Sequence, residues 1–220
     1  MKSNFSNKTL GWFFVLAGVM LWVGWTLLPV RLGVFFEVDD FSAINQQWHL
    51  WVWLMRVHIF GFLMAVMALS ALAAVVTESE ARVLVWPAVA VSMSGLIVGA
   101  LAVAFYYHHG AWGALELDGK STDAIGEHIA LLRLDTEYVT CLVRFGRVFF
   151  GLGQIVLAAA IWKWAIFPRP IAIGAAVLGA AAMALTMGLP DEMDYFIPVF
   201  QLNCLWMLAF GVVSIRAGGD

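Results

Sequence analysis

The sequence predicts an all-α integral membrane protein, a single-domain bundle of six transmembrane helices over residues 1–220, and three observations carry that prediction. Hydrophobic residues make up 63% of the chain and charged residues only 12%, with a mean hydropathy of +0.89, well outside the composition of water-soluble domains. Six segments offer the roughly twenty apolar residues that a helix needs to cross about 30 Å of hydrocarbon. No segment shows the inside–outside alternation of a barrel strand, and backbone groups in lipid must be satisfied within a helix or a closed barrel.

The first span is read at 10–30. Lys2 and Lys8 precede it as they would a signal peptide, but the apolar run is about twenty residues long and no A-x-A site follows, so an uncleaved span is expected. The second is read at 50–76, the third at 83–107, the fourth at 139–166, the fifth at 171–189 and the sixth at 197–215. Lys2, Lys8, Arg82, Lys163, Arg169 and Arg216 then fall on one side, with Arg31, Lys120, Arg133 and most of the acids on the other. By the positive-inside rule the first side is cytoplasmic and both termini lie there, in a cell membrane of bacterial inner-membrane type.

The connection at 108–138 is too long for a plain link. Ser121 or Thr122 is a candidate N-cap, and Ile125, Ile129, Leu132 and Leu134 recur near helical spacing. The expectation is a long outer loop containing an amphipathic helix, or an outward extension of the fourth span. A weak similarity between 12–21 and 148–157 is too slight to establish an internal repeat.

The polar residues gather in the outer half. Arg56 and His58 lie about 9 and 12 Å inside the second span, counted at 1.5 Å per residue, and Arg144 and Arg147 reach similar depths in the fourth. A charge at the bilayer centre costs about 2.5–3.5 kcal/mol on insertion scales, so intramembrane ionisable groups are functional candidates. Helical phase puts Arg144 and Arg147 on one face with Glu137. It separates Arg56 from His58 by about 200° and groups Arg56 with His49, so only one of the pair can face a common interior.

Chemically, this pattern fits a membrane-embedded enzyme acting on a lipophilic small molecule by acid–base chemistry, of lyase, isomerase, cyclase or hydrolase type. The candidate acids and bases are Asp191, Glu192, Asp194, His58, His108, Glu127 and His128. Arg56, Arg144 and Arg147 suit an anionic or carbonyl group, and Trp48, Trp51 and Trp53 an apolar body. Two further readings stand beside it. One is a non-enzymatic subunit of a membrane complex or a small transporter; the other is a haem b protein exchanging electrons with quinone, for which a second intramembrane histidine is missing. No metal-ligand spacing, phosphate loop, nucleophile elbow or basic nucleic-acid patch is present, and Cys141 and Cys204 frame no disulfide or zinc site. The expected partners are membrane lipid and a lipophilic ligand, with no cofactor, no metal and no nucleic acid; a homo-oligomer or a larger membrane complex is compatible with all three readings.

Overall fold

A computed structural model describes residues 4–30, 35–190 and 193–218, with side chains described for 7–30, 35–190 and 195–218. The described residues form α1 (Asn4–Thr26), α2 (Val38–Gln46), α3 (Trp48–Val75), α4 (Ser79–Glu116), α5 (Thr122–Trp164), α6 (Arg169–Gly188) and α7 (Met193–Ala217). All but α2 are long and apolar enough to cross a membrane, which makes this a polytopic helical membrane protein.

The six long helices close into a ring. α1 packs on α3, α3 on α4, α4 on α5, α5 on α6, α6 on α7, and α7 back on α1, with the α6–α7 seam the loosest. In lipid there is no hydrophobic drive to bring helices together, so close packing between small residues does that work. Each seam has a glycine at a close crossing. Gly11 meets Gly211 between α1 and α7, Gly61 meets Leu21 between α1 and α3, and Gly99 meets Phe62 between α3 and α4. Gly95 faces Gly146 between α4 and α5, Gly151 faces Gly179 between α5 and α6, and Gly174 lies against the Trp206 ring between α6 and α7.

Helix ends follow local chemistry. Arg82 Nε donates to the Val76 carbonyl (2.8 Å), which closes α3 and fixes the short step into α4. Ser121 Oγ accepts the Ala124 N–H (3.3 Å) and caps α5, as the sequence suggested for Ser121 or Thr122. α5 stops at Ala165, which takes the left-handed conformation (φ 50°); Pro168 then stands at the N-cap of α6 and Pro170 in its first turn, where no N–H is needed.

Of the two forms expected for 108–138, the structure has the outward extension of the fourth span rather than a long loop with its own helix. Residues 108–116 belong to α4 and residues 122–138 to α5, leaving only 117–121 as the turn, with Gly119 at φ +68°. Gly151 faces Gly179 and Arg144 reaches Thr186, which sets the end of α6 level with about Leu142 of α5. α5 therefore runs about 30 Å past the end of α6 at 1.5 Å per residue, paired with the last turns of α4. We call this the hairpin end of the bundle. The third span, read as ending at 107, is extended as well, and pairing of α4 with α5 carries both extensions.

α2 has no counterpart in the sequence reading. It lies at the hairpin end against α4, α5 and α3 and buries Phe41 and Ile44. These join Val30, Phe36, Trp51, Val52, Met55, Ala111 and Ala114 in a second apolar cluster, separate from the main core nearer the other end. At its start the Glu37 N–H donates to the Asp40 carboxylate (2.7 Å). Burial is the largest influence on Asp40 and raises its pKa above the ordinary carboxylate value; the Glu37 N–H opposes this, and the Glu37 and Asp39 charges add to it.

Two outcomes follow. A Cβ at Gly151 would sit 2.6 Å from the Gly179 carbonyl oxygen, whereas one at Gly126 meets nothing within 4 Å. Gly151→Ala should lower the unfolding midpoint in detergent, while Gly126→Ala should leave it unchanged or raise stability by about 0.5–1 kcal/mol through helix propensity. Because the pKa of Asp40 is raised on folding, its contribution to stability is full below the unfolded value and is lost as pH rises through the folded one. Thermal midpoints of the native chain and Asp40→Asn should coincide near pH 3 and separate in favour of Asn by about pH 6.

Candidate intramembrane site

Inside the ring, in the half toward the hairpin end, the six long helices line a partly open cavity of about 210 Å³. Its wall is mostly apolar, with Leu21, Phe62, Leu96, Phe150, Phe200 and Met207 among the lining residues. The polar groups on the wall are few and come from four helices: His58 on α3, Tyr106 on α4, Thr140 and Arg147 on α5, and Asn203 on α7. None of the lining residues is acidic.

His58 is fixed there by α1. A Cβ on Gly24 would fall 2.7 Å from the His58 Cβ, so only glycine lets α1 come this close. At that spacing Nδ1 of His58 lies 3.1 Å from the Leu21 carbonyl. A carbonyl only accepts, so Nδ1 carries the proton, and a neutral ring then keeps its lone pair on Nε2. The Trp25, Phe62 and Phe200 rings surround the imidazole with centroids 5.8, 5.2 and 5.6 Å away.

Arg147 stacks on the Phe196 ring of α7, its guanidinium carbon 3.8 Å from the centroid, and its charge reaches Tyr106. Tyr106 is hydrogen-bonded to the Thr140 side chain, and Thr140 Oγ1 donates to the Thr136 carbonyl (2.9 Å). A chain of hydroxyls thus joins α4 to α5 beside the arginine.

Deeper in the bundle, the buried Gln154 Nε2 donates to Asn203 Oδ1 (2.6 Å), and Asn203 Nδ2 donates to the Val199 carbonyl (3.0 Å). The Val199 carbonyl fixes the orientation of Asn203, which in turn fixes that of Gln154. Gln154 Oε1 is left buried with no protein partner.

The residues singled out in the sequence divide sharply. His58 and Arg147 line the cavity. Arg144 is half-buried and donates from Nη2 to the Thr186 carbonyl (2.7 Å), tying α5 to α6 rather than lining the cavity. Arg56 is exposed on the outside of α3, where Nε and Nη2 donate to the Tyr107 hydroxyl (3.1 and 3.0 Å) and the guanidinium lies over the Trp53 and Tyr107 rings. His49 and Trp53 are exposed as well, as their shared phase with Arg56 requires.

Trp48 donates to the Ala111 carbonyl (2.9 Å) and Trp51 is fully buried; both belong to the packing around α2. His108 and Glu127 are exposed on the hairpin, and His128 packs edge-on against Phe41 at 5.9 Å. Glu137 pairs with Arg133 (3.2 Å), not with Arg144. Asp191 and Glu192 lie outside the described residues, as does the side chain of Asp194.

Tyr106, Thr140, Gln154 and Asn203 were missed. An amide in the middle of an apolar span is costly unless paired, and that signal was available for Gln154 and Asn203. For Tyr106 and Thr140 only the packing of α4 on α5 reveals the pairing. Among the described residues no group of three His, Cys, Asp or Glu side chains is placed to hold a metal ion. Comparison with family models, with curated proteins and with solved structures finds no match for this chain.

Gln154→Leu should destabilise the folded state by leaving the Asn203 carbonyl unpaired, and Asn203→Leu should do the same to the Gln154 amide. The double variant should be less impaired than the two losses added, with a coupling of about 0.6–2 kcal/mol in unfolding measured in detergent.

Proposed function

We propose that this protein binds a lipophilic small molecule bearing an oxygen-containing polar head, taken into the cavity inside the helix ring. The observation that supports the reading is the largely apolar wall carrying one arginine, a tyrosine–threonine pair and a histidine. The apolar surface takes the body of the ligand, and the guanidinium, which suits carboxylate and carbonyl oxygens, takes the head. At about 210 Å³ the cavity is smaller than the roughly 300–1,000 Å³ of drug-sized sites. It suits a small molecule or one end of a longer one. With the basic loops placed inside, both described ends of the bundle helices α1 and α7 face the cytoplasm and the cavity lies toward the outer leaflet.

Acid–base chemistry on the bound molecule is the second reading, and one feature favours it. With Nδ1 engaged by Leu21, His58 has Nε2 left to take a proton, and the Tyr106 hydroxyl lies on the same cavity wall. A bis-histidine haem is less well supported, because the lining residues include a single histidine.

The test is retention of small molecules through purification, read by mass spectrometry of organic extracts and by native mass spectrometry. The native chain should carry a lipophilic compound. Ala182→Phe, which fills the cavity from α6, should lose it without a loss of fold. Arg147→Gln should weaken retention about tenfold, equivalent to about 1.4 kcal/mol. Equal extracts from the native and filled proteins would refute the proposal.

A further inference from the structure

The longest helix carries an apolar stripe that this bundle leaves unused. On α5, Leu131, Leu134, Tyr138, Cys141, Phe145, Val148 and Leu152 follow one another at alternating steps of three and four residues. Leu131 is 79% exposed, Leu134 77%, Tyr138 66%, Phe145 54% and Leu152 42%; Cys141 is exposed and Val148 half-buried. The opposite face of the helix, with Ile125, Ile129, Leu132, Thr136, Val139 and Gly146, turns into the protein.

A strict repeat of 3.5 residues over three heptads is the signature of a helix seam that supercoils with a partner. A face that only meets lipid needs no such period. Lipid also cannot cover all of it, because Leu131 lies about 16 Å beyond the level of the α6 end, counted from Leu142 at 1.5 Å per residue. Around Leu131 and Leu134 the neighbouring positions are polar, with Arg133, Asp135 and Glu137 all exposed. Leucines in such a setting are a docking surface rather than a membrane face.

We propose that two copies of this chain pair in parallel along α5, about a two-fold axis normal to the membrane. A second copy is the partner that matches every part of the stripe, since it alone brings the same repeat to the same depth in lipid and to the same height above it. Leu131, Tyr138, Phe145 and Leu152 take the a positions, and Leu134, Cys141 and Val148 the d positions. The flanking g–e contacts then pair Ala130 with Asp135, Glu137 with Leu142 and Arg144 with Phe149, so no like charges meet. The exposed side chains offer roughly 500 Å² per copy if a buried aromatic counts for about 150–250 Å². A pair then covers about 1,000 Å², the lower limit for a specific interface. This inference is independent of what the cavity binds.

Cys141 supplies the test. At a d position of a parallel pair its Cα should lie within the about 4.4–6.8 Å that a disulfide spans, while Cys204 is buried inside the ring. Mild oxidation of native membranes containing the full chain should give a disulfide-linked dimer that Cys141→Ser abolishes. In that serine background, Leu134→Cys and Phe145→Cys should cross-link, and Arg133→Cys at least tenfold more slowly. The pair Leu131→Glu and Leu134→Glu, both on exposed positions, should leave the thermal midpoint in place and turn the dimer into a monomer by light scattering in detergent. Cross-linking at Arg133→Cys as fast as at Leu134→Cys, or a native chain that is monomeric and resists cross-linking, would overturn the proposal.

Discussion

Close backbone approach at the glycine crossings is the constraint on which this structure depends. Helices in lipid gain stability from packing and from groups that need partners, and both require contact at short range. Gly11 with Gly211, Gly95 with Gly146 and Gly151 with Gly179 bring three seams to backbone contact. Leu21, Phe62 and Trp206 fit against glycines at the other three. Six helices joined edge to edge in this way close a ring, and a ring has an interior. Where side chains fill it, the main core forms; where they diverge toward the hairpin end, the cavity remains.

The same crossings decide which polar groups enter that interior. Gly24 admits α1 close enough for His58 to bond the Leu21 carbonyl, which makes a buried imidazole tolerable in an apolar wall. Arg56, two residues earlier, turns outward to Tyr107 and Trp53, where its guanidinium keeps aromatic and hydroxyl partners without being enclosed. Arg147 enters because its charge is spread over the Phe196 face. Such an interior is poor in charge and selective in shape, properties that suit recognition of an apolar molecule by one polar end.

The hairpin end answers to a different requirement. α4 and α5 continue past α6, and their extra turns would leave a gap above the cavity. α2 fills it with Phe41 and Ile44, while Trp51 and Met55 rise from α3 to meet them. Tyr106 and Val103 pack against this cluster and also line the cavity, so the cap and the cavity wall share residues. Movement of α2 would be felt at the cavity through those two side chains.

The six spans, the clustering of polar groups at one end and the phase that separates Arg56 from His58 were all legible in the sequence, because each depends on hydropathy, helical rise or helical angle. Which of Arg56 and His58 turns inward was not legible, since that depends on the neighbour α1 and on the absence of a side chain at Gly24. Nor were the pairing of Gln154 with Asn203, α2 and the continuation of α4 past 107, all of which come from contacts between separate segments, whereas the outward extension of α5 stood among the forms the sequence allowed. The alternation of three and four along α5 is written in the sequence, but its exposure is a tertiary fact. Periodicity fixes the angle at which a residue leaves its helix, while only the packed neighbours determine whether that angle points into the protein or away from it.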